Sequence, residues 1–131
     1  LTPCRRAGTI HAVHPDEIHQ REESVLVDHR TYRIKPGAMN AYLDNYEKFG
    51  LVPQSRHLGQ PVAYMFSESG EINTLVHIWA YEDAADRMKR RAAMQADADW
   101  QVFVRKNAEG GNLVHQTTML MIPAKFAPIK R

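Results

Sequence analysis

The stretch Asn73–Tyr81, NTLVHIWAY, limits what this chain can fold into more than any other. Side chains along a strand point alternately to its two faces. Period two puts Thr74, Val76, Ile78 and Ala80 on one side, small and mostly apolar, and Asn73, Leu75, His77, Trp79 and Tyr81 on the other. A strand in a one-sided sheet shows water a polar face. Neither face here is polar enough for that, so the sequence predicts a central strand covered on both sides.

The rest of the chain fits that requirement. Its 131 residues suit one domain with a hydrophobic core. Apolar and charged shares of 44% and 24% are those of a soluble globular protein. No apolar run reaches the ~18 residues that span a bilayer, and no secretory leader pattern is present, so a cytoplasmic protein without a transmembrane segment is expected. Cys4 is the single cysteine, which rules out an internal disulfide. A net charge of +2 lacks the electrostatic footprint of a nucleic-acid binder.

Residues 1–23 read as a polar arm interrupted by Pro3, Gly8 and Pro15. His11, His14 and His19 fall there, but Pro15 beside His-x-x-His spoils the convergence a metal site needs, and no metal is expected. Residues 24–131 then read as one domain. Ser24–Ile34 alternates as a first strand. After Lys35-Pro36-Gly37, the apolar positions Met39, Tyr42, Leu43, Tyr46 and Phe49 form one helical stripe, with Gly50 as a left-handed stop and Pro53 preventing continuation. Leu51–Gly59 reads as a connection, Pro61–Ser67 as a second strand, and Glu68-Ser69-Gly70-Glu71 as the hairpin turn into NTLVHIWAY. Asp83 caps a helix to about Gln95, a shorter helix follows over 97–107 with Trp100 as its anchor, Gly110-Gly111 breaks it, and Leu113–Ile122 is the last strand.

Strand, helix, strand, strand, helix, strand is the ferredoxin-like βαββαβ order: an α+β fold with a four-stranded antiparallel sheet and helices on one face. If Val76 and Ile78 face the helices, the bare face carries Leu75, His77, Trp79 and Tyr81, with Leu26, Asp28, Arg30 and Tyr32 beside them on the first strand. A patch of that size calls for a second copy across a two-fold axis, closing a dimeric α+β barrel around a cavity.

The segments VDHRTYRIKPG, YMFSESGEINTLVHIWAYEDAADRMKRRAAM and DADW, with the H-x-W-x-Y of His77, Trp79 and Tyr81 and the R-x-x-x-R of Arg87 and Arg91, resemble the NIPSNAP family over roughly residues 25 to 128. The resemblance implies a homodimeric α+β barrel and a role in binding a small molecule or a protein partner, with no defined reaction. His29 departs from the apolar residue expected in the first strand.

Tyr32, Trp79 and Tyr81 join apolar bulk to a few polar tips, the make-up of a small-molecule pocket, and Asp28 and Arg30 stand two apart on the same strand face, able to pair or to bind a polar ligand. His77 titrates near neutrality and is the candidate general base of a cofactor-free monooxygenase- or isomerase-like enzyme. The same residues would equally suit a dimer core with satisfied polar tips. A haem-binding barrel would use His77 or His115 as axial ligand, and an RNA-binding sheet lacks its Lys/Arg-Gly-aromatic signature. Arg87 and Arg91 share a helix face and are expected to pair with Asp83, Asp86, Asp97 or Asp99. Met119 and Met121 read as core filling. No P-loop, nucleophile elbow or dinucleotide fingerprint is present, so no cofactor is expected.

Overall fold

The computed structural model describes residues 25–129. The arm, with Cys4, His11, His14 and His19, lies outside them. Four antiparallel strands, β1 (Leu26–Ile34), β2 (Ala63–Phe66), β3 (Thr74–Tyr81) and β4 (Leu113–Met121), run in the order β2-β3-β1-β4. NTLVHIWAY is central, as its two dry faces require. Helices α1 (Met39–Asn45) and α2 (Leu51–Leu58) follow β1, and α3 (Ala84–Ala96) and α4 (Ala98–Gly110) follow β3. The fold is α+β and ferredoxin-like. None of the helices is long and apolar enough to cross a membrane.

Local signals explain most boundaries. The Asp83 carboxylate accepts from the Asp86 N–H at 2.7 Å and starts α3. Asp97 accepts from the Asp99 N–H at 2.8 Å and starts α4, which ends at Gly111 with φ 64°. Glycine at φ 79° in Gly59 is the true end of the first helical run. Gly50 does not stop it. Its φ of −106° is right-handed, and the chain passes from α1 through one π-helical turn, Tyr46–Gly50, into α2. Pro53 sits in the first turn of α2, where a missing N–H is tolerated. What Gly50 supplies is close approach: a Cβ there would lie 2.8 Å from the Tyr46 ring and 3.0 Å from the Phe103 ring.

The two sheet faces are assigned the other way round from the sequence reading. Leu75 packs with Tyr32, Ile34 and Tyr42 beneath α1, and Trp79 and Tyr81 pack with Leu58 of α2 and Met94 of α3. Asp28, Leu75, His77, Trp79 and Tyr81 are therefore covered by helices of their own subunit. The open face carries Val27, His29 and Thr31 of β1 and Val76, Ile78 and Ala80 of β3. At one end Val25, Val27 and Ala80 are covered by Ile129. Met119 and Met121, in register with His29 and Val27, are 54% and 45% exposed on this face and are not core filling. His29 consequently does not face the helices.

Candidate functional site

Cross-strand register builds the floor of the site. Arg30 of β1 is directly opposite His77 of β3, and His77 is opposite Tyr64 of β2, so one row across the sheet reads Arg30, His77, Tyr64. Directly opposed side chains on one face lie within contact. Above this row the helices leave a cavity of about 240 Å³, lined by Arg30, Tyr32, Tyr64 and His77 from the sheet. Tyr42, Tyr46 and Gln54 close it from α1, the π turn and α2, and Trp100, Phe103 and Asn107 from α4.

The walls are flat and rigid. Tyr64 stacks on His77 (centroids 4.9 Å, planes 22° apart) and Tyr46 stacks on Tyr64 (4.7 Å, 16°). Tyr32 meets His77 edge-on at 4.7 Å, and Trp100 tilts against Phe103 at 5.0 Å. The Tyr46 hydroxyl donates to Gln54 Oε1 at 2.6 Å, across the π turn. A π turn widens the helix, and such turns recur at functional sites. Here it brings Tyr46 over Tyr64 while Gly50 lets Phe103 close against the same ring.

His77 is the chemical centre. It is 2% exposed, and its Nε2 has no hydrogen-bond partner among the described residues. Its Nδ1 is 2.7 Å from the indole Nε1 of Trp79. An indole N–H only donates, so Nδ1 accepts and the neutral ring carries its proton on Nε2. Burial first, then the Arg30 and Arg91 charges, pull the imidazole from its ordinary 6.5 down to about 3. At neutral pH His77 thus presents a fixed N–H donor. The basic nitrogen is occupied by Trp79, which argues for donation at this position over proton abstraction.

Around it, charge is arranged asymmetrically. Asp28, fully buried, lies 2.9 Å from Arg87 Nε and 3.3 Å from Arg30 Nε. Arg87 therefore reaches the sheet and does not take one of the helix carboxylates expected for it; Arg90 pairs with Asp86 at 2.8 Å. Arg30 also donates from Nη1 to the Tyr32 hydroxyl at 3.3 Å. Burial holds the phenols of Tyr42, Tyr46 and Tyr64 above their usual range, so all three stay protonated. Burial and the Asp28 charge do the same to Tyr81.

Of the residues the sequence nominated, His77, Arg30 and Tyr32 line the cavity. Asp28 and Trp79 stand on the next row of the same face, where Asp28 neutralises part of Arg30 and Trp79 orients His77, and Tyr81 stands one row beyond, opposite Leu26. His115 faces the opposite side, in register with Arg33. Sequence reasoning missed Tyr42, Tyr46, Gln54, Tyr64 and Phe103 as site residues and took Trp100 for an anchor alone. Tyr42 and Tyr46 did show in the helical stripe, but a stripe does not tell a packed ring from a cavity wall.

A family model described as NIPSNAP matches residues 27–128. The chain belongs to the NIPSNAP family. Human NipSnap homolog 3A is 35% identical over 80 residues, which are 60% of this chain and 32% of that protein. The Dictyostelium discoideum NipSnap homolog is 29% identical over 104 residues, 79% of this chain and 45% of that protein. This NIPSNAP chain thus spans less than half the length of these two relatives. Among solved structures, a NIPSNAP-like domain protein from Burkholderia xenovorans superposes with a TM-score of 0.77 at 32% identity, covering 83% of this chain and 93% of that one. A NIPSNAP family protein of unknown function from Agrobacterium tumefaciens gives 0.75 at 42% identity, covering 81% and 94%. A Bacteroides thetaiotaomicron protein assigned to the antibiotic biosynthesis monooxygenases gives 0.59 at 12% identity over 84% and 98%, a likeness of fold alone.

Proposed function

We propose that this NIPSNAP domain is a homodimer in which each subunit binds a small molecule in the cavity between its own sheet and helices. The observation that carries the reading is the buried, unpartnered Nε2–H of His77, on a ring that lines a space walled by aromatic side chains. A buried donor without a partner costs about 1–3 kcal/mol, and a bound acceptor removes that cost. The volume suits the role: a dry cavity of about 150 Å³ already takes benzene.

Support for the dimer comes from the open sheet face. Met65, Met119 and Met121 are about half exposed there, Val76 and Ile78 lie between them, and the buried Nδ1 of His29 has no partner among the described residues. A second copy covering this face would bury the methionines and could satisfy His29.

A second reading, an enzyme acting through His77, is favoured by the same unpartnered Nε2–H. In that reading the imidazole donates to an oxygen that gains negative charge during reaction, the task of an oxyanion donor. Native mass spectrometry tests the main reading. The expected species has twice the 15.0 kDa mass of the chain and carries a small organic adduct, or acquires one from a fragment library. A protein whose Trp79 indole and His77 ring signals are moved by no fragment would not be a small-molecule binder at this cavity.

A further inference from the structure

Resting on the small-molecule reading above, we infer that the cavity is selective for a planar organic anion, an aromatic carboxylate, bound between the Arg30 guanidinium and the Nε2–H of His77. The polar groups lining the cavity include Arg30, His77, the Gln54, Asn107 and Gln116 amides and the tyrosine hydroxyls, and Arg30 alone among them carries a full charge. His77 offers a donor only, because Trp79 consumes Nδ1. The carbonyl oxygen of Gln54, a natural acceptor on the wall, is consumed by the Tyr46 hydroxyl at 2.6 Å. Arg30 offers donors and a permanent positive charge from the floor, one cross-strand position from His77.

Among the described residues no carboxylate lines the cavity. The nearest acid, Asp28, sits behind the floor and is shared between two guanidiniums, Arg87 at 2.9 Å and Arg30 at 3.3 Å. One negative charge against two positive ones leaves the spot cationic, and Arg91 adds to the positive field felt at His77. A cationic ligand would meet like charge with no counter-ion. A neutral one would leave the excess charge uncompensated in a largely desolvated space, whereas a carboxylate answers it with charge-assisted hydrogen bonds. The ring half of the ligand follows from the lining, in which Tyr32, Tyr42, Tyr64, Trp100 and Phe103 supply mostly aromatic surface, a composition that favours a flat π system.

The test compares three probes with one ring system: 2-naphthoate, the neutral 2-naphthamide, and the cationic 2-naphthylmethylammonium. Binding is read by calorimetry and by the ¹H–¹⁵N signals of the Trp79 indole and the His77 ring. Expected is at least tenfold tighter binding of the carboxylate than of the amide, and no binding of the ammonium. Arg30→Met should remove that tenfold preference, and Arg30→Lys should restore part of it. Because His77 stays neutral, naphthoate affinity should be flat from pH 6 to pH 8. Equal affinity for carboxylate and amide, with the pocket signals shifting for both, would overturn the charge selection yet leave the small-molecule site standing. Silence of the Trp79 and His77 signals toward all three probes and toward a broader fragment set would sink the underlying reading as well. A preference that survives in Arg30→Met would overturn the assignment of Arg30.

Discussion

The two faces of the sheet differ in what they need to be complete. The face under the helices is made of Asp28, Arg30, Tyr32, Leu75, His77, Trp79 and Tyr81, and its polar atoms largely find partners inside the subunit: Asp28 with two arginines, Trp79 with His77. The open face is made of Val27, His29, Thr31, Val76, Ile78, Met119 and Met121, with few polar groups and half-exposed methionines. On the covered face Arg30 Nε and His77 Nε2 make no hydrogen bond among the described residues, and on the open face His29 Nδ1 makes none. Alternate residues of the same nine-residue stretch thus build two chemically different faces, which in the proposed reading meet a ligand on one side and a second copy on the other.

That contrast can be broken one face at a time. The largest effect is expected from Trp79→Ala. The ring is 1% exposed, and its loss should cost about 3–5 kcal/mol by urea denaturation, a large share of the ~5–15 kcal/mol that holds a domain together. On the other face, Ile78→Asp should reduce the particle to the 15.0 kDa monomer in light scattering while the Trp79 indole signal keeps its position. If that signal moved as much as the mass changed, the two faces would not be independent. Next comes Gly50→Ala. Alanine in a helix normally gains ~1 kcal/mol over glycine. Here the new Cβ would meet the Tyr46 and Phe103 rings at 2.8 and 3.0 Å, so a loss of about 1–3 kcal/mol is expected, together with weaker ligand binding. A gain in stability would show that the π turn tolerates the methyl group.

The most specific effect, and the smallest per unit of change, is the pH response of His77. Its folded value lies near 3 and its unfolded value near 6.5, so the unfolded chain takes up the proton first. The stability tied to the neutral ring is complete above pH 6.5 and drains as pH falls toward 3, with a slope of at most ~1.4 kcal/mol per unit. Denaturation curves between pH 7 and pH 4 should show this slope, and His77→Gln, which keeps an acceptor for Trp79, should flatten it. An unchanged slope in the variant would assign the effect to other groups.

The order of elements was legible in the sequence because it rests on local chemistry: alternation in NTLVHIWAY, the Asp83 cap, the glycines at 110 and 111. The family was legible for the same reason, its motifs being contiguous. The faces were not, because period two separates residues into two sets without saying which set meets the helices. Size was the wrong guide to that choice. Small residues such as Val76 and Ile78 looked suited to a dry helix side, but it is Leu75, Trp79 and Tyr81 that pack against Tyr42, Leu58 and Met94 of the helices. Gly50 and Pro53 read as a stop because their local meaning is termination; only contact with Phe103, fifty-three positions away, reveals the glycine as a packing residue. The site was half legible. Arg30, Tyr32 and His77 lie on strands whose pattern could be read, whereas Tyr46, Gln54 and Trp100 reach the cavity through tertiary contacts that no window of sequence contains.

The hydrogen bond between Trp79 and His77 joins two residues of one strand, two positions apart. Its geometry is set by the pleat of β3 and owes nothing to where α1, α2 or α4 stands. A displacement of those helices would leave the imidazole with the same nitrogen protonated, so the polarity of the ring is written into the strand and not into its cover.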